Sequence, residues 1–432
     1  MRKEEFHYLS TQPLTYGPKH HFFGFNDICP WSTTGRFMLA LEVDFINRMP
    51  TRDDKATIGI IDLADNNKFC PVAETFAWNF QQGSRQQWIP GEFNKIIFND
   101  RRKDRFVSVI LDIESEEREI LPLPIYALSP DGSFALTVNF ARLYRLGGYG
   151  YPGVADPTRN DPIPETDGIY RLDLKTGCVD LIIPISAVAK LGDTLAVAKN
   201  QHQYLTHILF NRDGTRICFL HRWQLRDGGI YTRLITANPD GSELFCLAEG
   251  KLSHFDWRNS SQILIWGRHR PLISNLRRRG IFNRPIFKGL LSLARKSKGV
   301  FRRHRVLGDS YLLFTDKSGE CKKVGVGVLT EDGHCSFSPD SRWILTDTYA
   351  DEEGYRTLIL YHWESGKRMD IGRFYSLPND SYPKDWVLSE MRCDLHPRWN
   401  RDGTQVCFDS VHEGTRQLYV VNVEEIIKNE AW

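Results

Sequence analysis

The 432-residue chain contains no run of about 18 apolar residues, so no membrane-spanning helix is expected. Its first residues, MRKEEFHYLSTQPLTYG, lack the apolar core of a secretory leader. Nine cysteines, an odd number, are scattered with no CxxC pair, which argues against a disulfide framework and for reduced thiols in a cytoplasmic protein. The net charge of +2 sets up no global field, and no nucleic-acid partner is expected. There is no phosphate-binding loop, no dinucleotide fingerprint, no GxSxG elbow and no HExxH pair. What is plentiful is aromatic residues, at 12%, together with glycine and proline, a balance that leans towards turn-rich β structure.

One motif recurs: an aromatic or apolar residue, a polar turn ending in Asp-Gly or a variant of it, then a strand-like run. The clear copies are ALSPDGSFALTVNF from Ala127, LFNRDGTRICFLH from Leu209, SFSPDSRWILTDT from Ser336 and RWNRDGTQVCFDS from Arg398. Weaker copies start at Pro30, Gln87 and Asp256, making seven. Each is usually followed by a second hairpin, for example DGIYRLDLKTGCVDLII from Asp167. Two hairpins make a four-stranded sheet, and radial repetition of such sheets protects their edges. The expected fold is therefore all-β, a seven-bladed β-propeller formed as one domain over residues 1–432. The last copy leaves room for three strands, so the segment near Phe6 to Ser10 is expected to supply the fourth. A basic insertion in the fifth blade, about residues 268–309, contains IFKGLLSLA and predicts a short amphipathic helix. That insertion is a candidate contact for an anionic surface; a solvated loop is the alternative.

The turn aspartates set a register. Six residues before Asp213, Asp340 and Asp402 stand His207, His334 and His396, and six before Ser260, which replaces the aspartate in the fifth blade, stands His254. This position begins the innermost strand, so the four imidazoles are expected to converge at one mouth of the central funnel. Clustered neutral imidazoles suit a divalent metal, with Zn or Mn favoured. Cys335 and Asp394 are further candidate ligands. Any one of these histidines could instead bond a neighbouring blade, and three could bind metal while the fourth acts as a base.

Two other segments carry chemistry. GPKHHFFGFNDICPW places His20 and His21 near Asn26 and Asp27. NFARLYRLGGYGYPG combines Arg142 and Arg145 with Tyr144, Tyr149 and Tyr151, aromatic faces for sugar rings and guanidiniums for carboxylates. Tyr126, one position past the histidine register, is a candidate acid or base.

The runs SHFDW, GHCSFSPD, TDTY and DLHPRWNRDG resemble the seven-bladed propeller polysaccharide lyases, the oligogalacturonate lyases and their ulvan-lyase relatives. HHFFGFNDICPWS and FARLYRLGGYGYPG are similar to the ulvan-lyase side. The resemblance implies metal-assisted β-elimination on a uronic-acid-containing oligosaccharide. It implies metal-binding roles for His334 and His396 and a catalytic role for His254. From the ulvan side it implies that His21, Tyr126 and Arg142 act together. The chain departs from both patterns: the HxH pair of the pectin branch reads Asp394-Leu395-His396, and no second histidine stands near Glu42. The alternative is a non-catalytic glycan- or protein-binding propeller with a structural metal site.

Overall fold

The computed structural model describes residues 9–225, 228–268, 308–376 and 391–428. The basic insertion beyond Arg268, with its expected helix and anionic-surface contact, lies outside the described residues, as do Phe6 to Tyr8. The chain divides into two compact units: residues 1–156 with 172–178 and 333–432, and residues 157–171 with 179–332. No helix among the described residues is long and apolar enough to cross a membrane.

The repeated turn explains the repeated sheet. In each clear copy the aspartate carboxylate accepts the backbone N–H two residues on, at 3.1 Å for Asp131, 3.1 Å for Asp213 and 3.0 Å for Asp340. The residue after it is left-handed: Gly132 at φ 71°, Gly214 at 72°, Gly403 at 76°. Glycine adopts that conformation without steric cost, and Ser341, at φ 60°, takes its place in one copy. These hydrogen bonds hold the Asp213 carboxyl down at about 2, with the Ser260 and Thr215 hydroxyls the largest contributors.

In the first unit, antiparallel meanders run through His20–Phe22, Phe37–Val43, Ala56–Asp62 and Lys68–Thr75, then Gln87–Trp88, Lys95–Arg102, Arg105–Asp112 and Arg118–Leu121. Ala127–Leu128 and Phe134–Thr137 open a third, whose sheet also holds Gly168–Asp173 and Val179–Pro184. Two more lie near the C-terminus. One is Ser336–Phe337, Trp343–Asp347, Tyr355–His362 and Arg368–Tyr375. The other is Arg398–Trp399, Gln405–Ser410 and Gln417–Asn422, with Thr11–Pro13 as its outer strand. The N-terminal segment thus completes the last sheet as expected, but through Thr11–Pro13, paired with Val421, Val420 and Tyr419, just beyond the predicted stretch. In the second unit one seven-stranded sheet holds two meanders, because Phe245–Trp257 is the last strand of one and the first of the next. Among the described residues this makes seven successive meanders in an all-β chain of β-propeller class.

Many of the strands are buried on both faces, all five residues of Trp343–Asp347 among them, and large aromatics such as Trp31, Trp78 and Trp343 fill the space between sheets. One irregularity serves the site. In the first meander Phe22 pairs with Leu41, while Trp31 bridges Met38, so the residues between them form a loop inserted within the innermost strand. That loop carries Phe25, Asn26 and Asp27.

Candidate metal and substrate site

The GHCSFSPD segment brings His334 to the end of the strand Trp343–Asp347. Asp347 accepts the His334 backbone N–H at 2.6 Å, and both its oxygens lie 3.0 Å from Nδ1. The carboxylate therefore fixes the tautomer with a proton on Nδ1 and the lone pair on Nε2, the arrangement by which carboxylates orient histidines that bind metals. Burial pushes the Asp347 carboxyl up, but the charge and hydrogen bonds of His334 outweigh it and hold the carboxyl below its ordinary value.

His396 meets this imidazole edge to face, with ring centroids 4.2 Å apart, and the Phe25 ring packs edge-on at 5.7 Å from His334 and 5.0 Å from His396. His334, Asp394 and His396, all buried, offer ligand atoms within 4.8 Å of one another. Two imidazoles and a carboxylate suit a borderline divalent ion, so the residues fit a metal. His396 holds a left-handed φ of 43°, a conformation costly for a residue with a Cβ and concentrated at functional sites. Cys335 is fully buried, but the group of three does not include it. Its carbonyl accepts from Asn26 at 3.2 Å, tying the inserted loop to the site.

Charge around the cluster is dense. Asp394 pairs with Arg356 at 2.8 Å and Arg392 at 2.9 Å. Asp409, whose backbone N–H donates to the Leu395 carbonyl at 2.9 Å, pairs with Arg398 and Arg416, each at 3.2 Å. Arg398 also donates to the carbonyls of Gly24 and Phe25. None of these groups except Asp394 emerged from the sequence reading. A signal was available: Asp347 and Asp409 each stand seven residues after a turn aspartate, and Arg356 and Arg416 lie within one residue of the start of the following strands, Tyr355–His362 and Gln417–Asn422.

His207 and His254 lie in the second unit. Each sits at a β-bulge, between Thr206 and Leu209 and between Leu252 and Phe255. In both, the preceding hydroxyl holds Nδ1 at 3.0 Å: Thr206 for His207, Ser253 for His254. A bulge re-aims a side chain out of the pleat, so the common register carries a common local structure. His207 is left-handed, at φ 57°. His254 Nδ1 also lies 2.9 Å from Asp332.

The other sequence candidates lie in the first unit and are largely covered. His21 bonds Gln417 through Nδ1 at 3.0 Å and Glu42 through Nε2 at 3.2 Å. Burial lowers its basicity, outweighing the raising effect of those two partners. Tyr126 is fully buried; its hydroxyl accepts from Gln82 at 2.9 Å, and the Arg85 guanidinium lies 4.3 Å over its ring. Arg85 is itself paired at both ends with Asp27, at 2.9 and 2.8 Å. The sugar-loop segment is a helix, Phe140–Gly147, capped by the Asn139 side chain. Its Arg142 is buried with Asp156 at 3.8 Å, and Arg145 takes the same carboxylate at 2.7 Å. Tyr151 is fully buried, stacked on Phe140 at 4.7 Å with its hydroxyl beside Asn99, so the structure places it in the core. Tyr149 is half-buried, its carbonyl held by Asn79.

No family model matches the chain, and no curated protein sequence matches it. Solved structures do. An oligogalacturonate lyase from Vibrio parahaemolyticus superimposes with a TM-score of 0.61 at 12% identity, covering 97% of this chain and 95% of that one. An oligogalacturonate lyase in complex with manganese gives a TM-score of 0.59 at 14% identity, covering 98% of each chain. The chain thus shares its fold with these lyases over nearly its whole length.

Proposed function

We propose that the protein cleaves uronic-acid-containing oligosaccharides by metal-assisted β-elimination. The observation that carries this reading is the His334–Asp394–His396 group, with Asp347 behind it, in a fold shared with a manganese-bound oligogalacturonate lyase. The hard step in such a cleavage is removal of the C5 proton, which is only weakly acidic while the adjoining carboxylate keeps its full charge. A divalent ion held by His334, Asp394 and His396, manganese or zinc, would draw off that charge and stabilise the enolate. The chain's own residues must then hold the ligating nitrogens in place and take the proton. Asp347 does the first, locking the His334 tautomer. For the second, the resemblance points to His254, whose Nδ1 is held by Asp332 and Ser253 as the ring of a general base is oriented. The C5–H electron pair becomes the new double bond, and the C4–O4 bond breaks with protonation of O4 by a tyrosine or water.

A second reading, a non-catalytic glycan- or protein-binding propeller with a structural metal, is favoured by the complete burial of all three donors. One experiment separates the two. Metal-loaded protein is incubated with a panel of acidic oligosaccharides, and the ultraviolet absorbance of the unsaturated product is followed with its mass. Elimination adds no water; a hydrolase adds one. No unsaturated product from any acidic glycan, with metal bound, would overturn the lyase reading.

A further inference from the structure

A cleft of about 650 Å³ opens in the first unit, lined among others by Lys19, Glu42, Phe76, Arg101, Arg102 and Arg118. One of its lining residues, Glu42, is the carboxylate that holds His21 Nε2. The three acidic groups of the lining are already matched. Glu42 takes Lys19 at 2.7 Å, Glu74 takes Lys55 at 2.5 Å, and Asp100 takes Arg102 at 3.1 Å and the Phe76 N–H at 3.0 Å. Arg101 and Arg118 are different. Arg101 spends its terminal nitrogens on two backbone carbonyls, Lys103 at 3.1 Å and Arg52 at 2.7 Å, and Arg118 donates to the Val72 carbonyl at 3.2 Å. Carbonyls orient a guanidinium without neutralising it, and neither arginine has a carboxylate partner among the described residues.

Arg101 is also built in. Its guanidinium lies 5.5 Å from the Phe76 ring centre. Its stem runs past Gly153, where an added Cβ would come within 3.0 Å of Nε. The Arg101 Nε is buried with no acceptor among the described residues. A second cleft, about 610 Å³, is lined by Arg101, Arg102, Lys103, Asp104 and Arg105 and extends the basic surface.

We propose that this cleft binds an acidic saccharide, with Arg101 and Arg118 taking a uronate carboxylate and Phe76 offering an apolar face to the sugar ring. The choice of a uronate rests on the reading under Proposed function; the anion site itself rests on the unmatched arginines. A guanidinium pairs with a carboxylate in a bidentate way. Three carboxylates in the lining oppose a densely charged phosphate ligand, whereas a uronate carries one charge per sugar ring.

The test is calorimetric titration of the full chain, with chelator present so that no cleavage intervenes, using a galacturonate hexamer as probe. A neutral glucose hexamer and inorganic phosphate serve as comparisons. The hexuronate is expected to bind, more weakly as salt rises. Arg101→Gln and Arg118→Gln should each weaken it about tenfold with unchanged melting temperature, and Arg101→Lys should lose less. The proposal is overturned by undetectable hexuronate binding, by equal binding of the neutral hexamer or of phosphate, or by unchanged affinity in the Arg101→Gln/Arg118→Gln double variant. Because binding is read without turnover, this result stands apart from whether unsaturated product forms in the metal-loaded assay.

Discussion

Replacing Asp394 by asparagine removes the charge while keeping the shape, and the structure sets the cost. The Asp394 carboxylate is fully buried between Arg356, also fully buried, and Arg392. Deleting one partner of such a pair leaves an uncompensated buried charge, worth about 3–5 kcal/mol. For a cooperative unit the size of the first one, that is a drop in melting temperature of roughly 5–9 °C. The substitution also removes one of the three donors. A metal that binds only the folded chain stabilises it by about 2.7 kcal/mol at a hundred times its dissociation constant, so the wild type should melt about 5 °C higher with saturating manganese and Asp394→Asn should not. Differential scanning calorimetry, with and without metal, reads both effects. If Asp394→Asn melts with the wild type, the buried pair is not holding the fold as argued. If it keeps the full metal shift, Asp394 is not a ligand.

Other outcomes follow from the same geometry. His254→Asn should lower the elimination rate by about 10²–10⁴ while the melting temperature stays put; an unchanged rate removes His254 from the chemistry. At Gly333 an added Cβ would lie 1.8 Å from the Asp347 carbonyl oxygen, so Gly333→Ala should displace His334 and abolish the metal-dependent shift in melting, and a retained shift contradicts that packing. Burial, with Arg233 beside it, holds the His221 imidazole well below its ordinary value, while the unfolded chain titrates near 6.5. Below that pH the unfolded state binds a proton that the folded state does not, so stability falls as pH drops, by up to about 1.4 kcal/mol per pH unit for this group. His221→Asn should flatten that slope in urea melts between pH 7 and pH 5, and parallel curves would contradict it.

The blades were legible because their signal is local. A Ser-Pro-Asp or Asn-Arg-Asp turn bonds itself, so Asp131, Asp213, Asp340 and Asp402 could be read directly and the histidine register counted from the last three. That register led to His334 and His396, which do meet. Asp347, 13 residues from His334, was within reach of the same register; Arg356 and Phe25 were not, because their partners are distant in sequence: Arg356 reaches Asp394, and Phe25 crosses more than three hundred residues to reach both imidazoles. The aromatic loop misled for a physical reason. Tyr151 reads as a sugar platform and as a core residue alike, and only the packing against the helix Phe140–Gly147 stacks its ring on Phe140.

The most direct measurement is the metal content of purified protein, by elemental analysis, for the wild type and His396→Ala. About one manganese or zinc ion per wild-type chain is expected, with most of it lost in the variant. A wild type that retains no divalent ion after manganese loading, or a variant that holds it as tightly, would contradict the claim that His334, Asp394 and His396 form a metal centre.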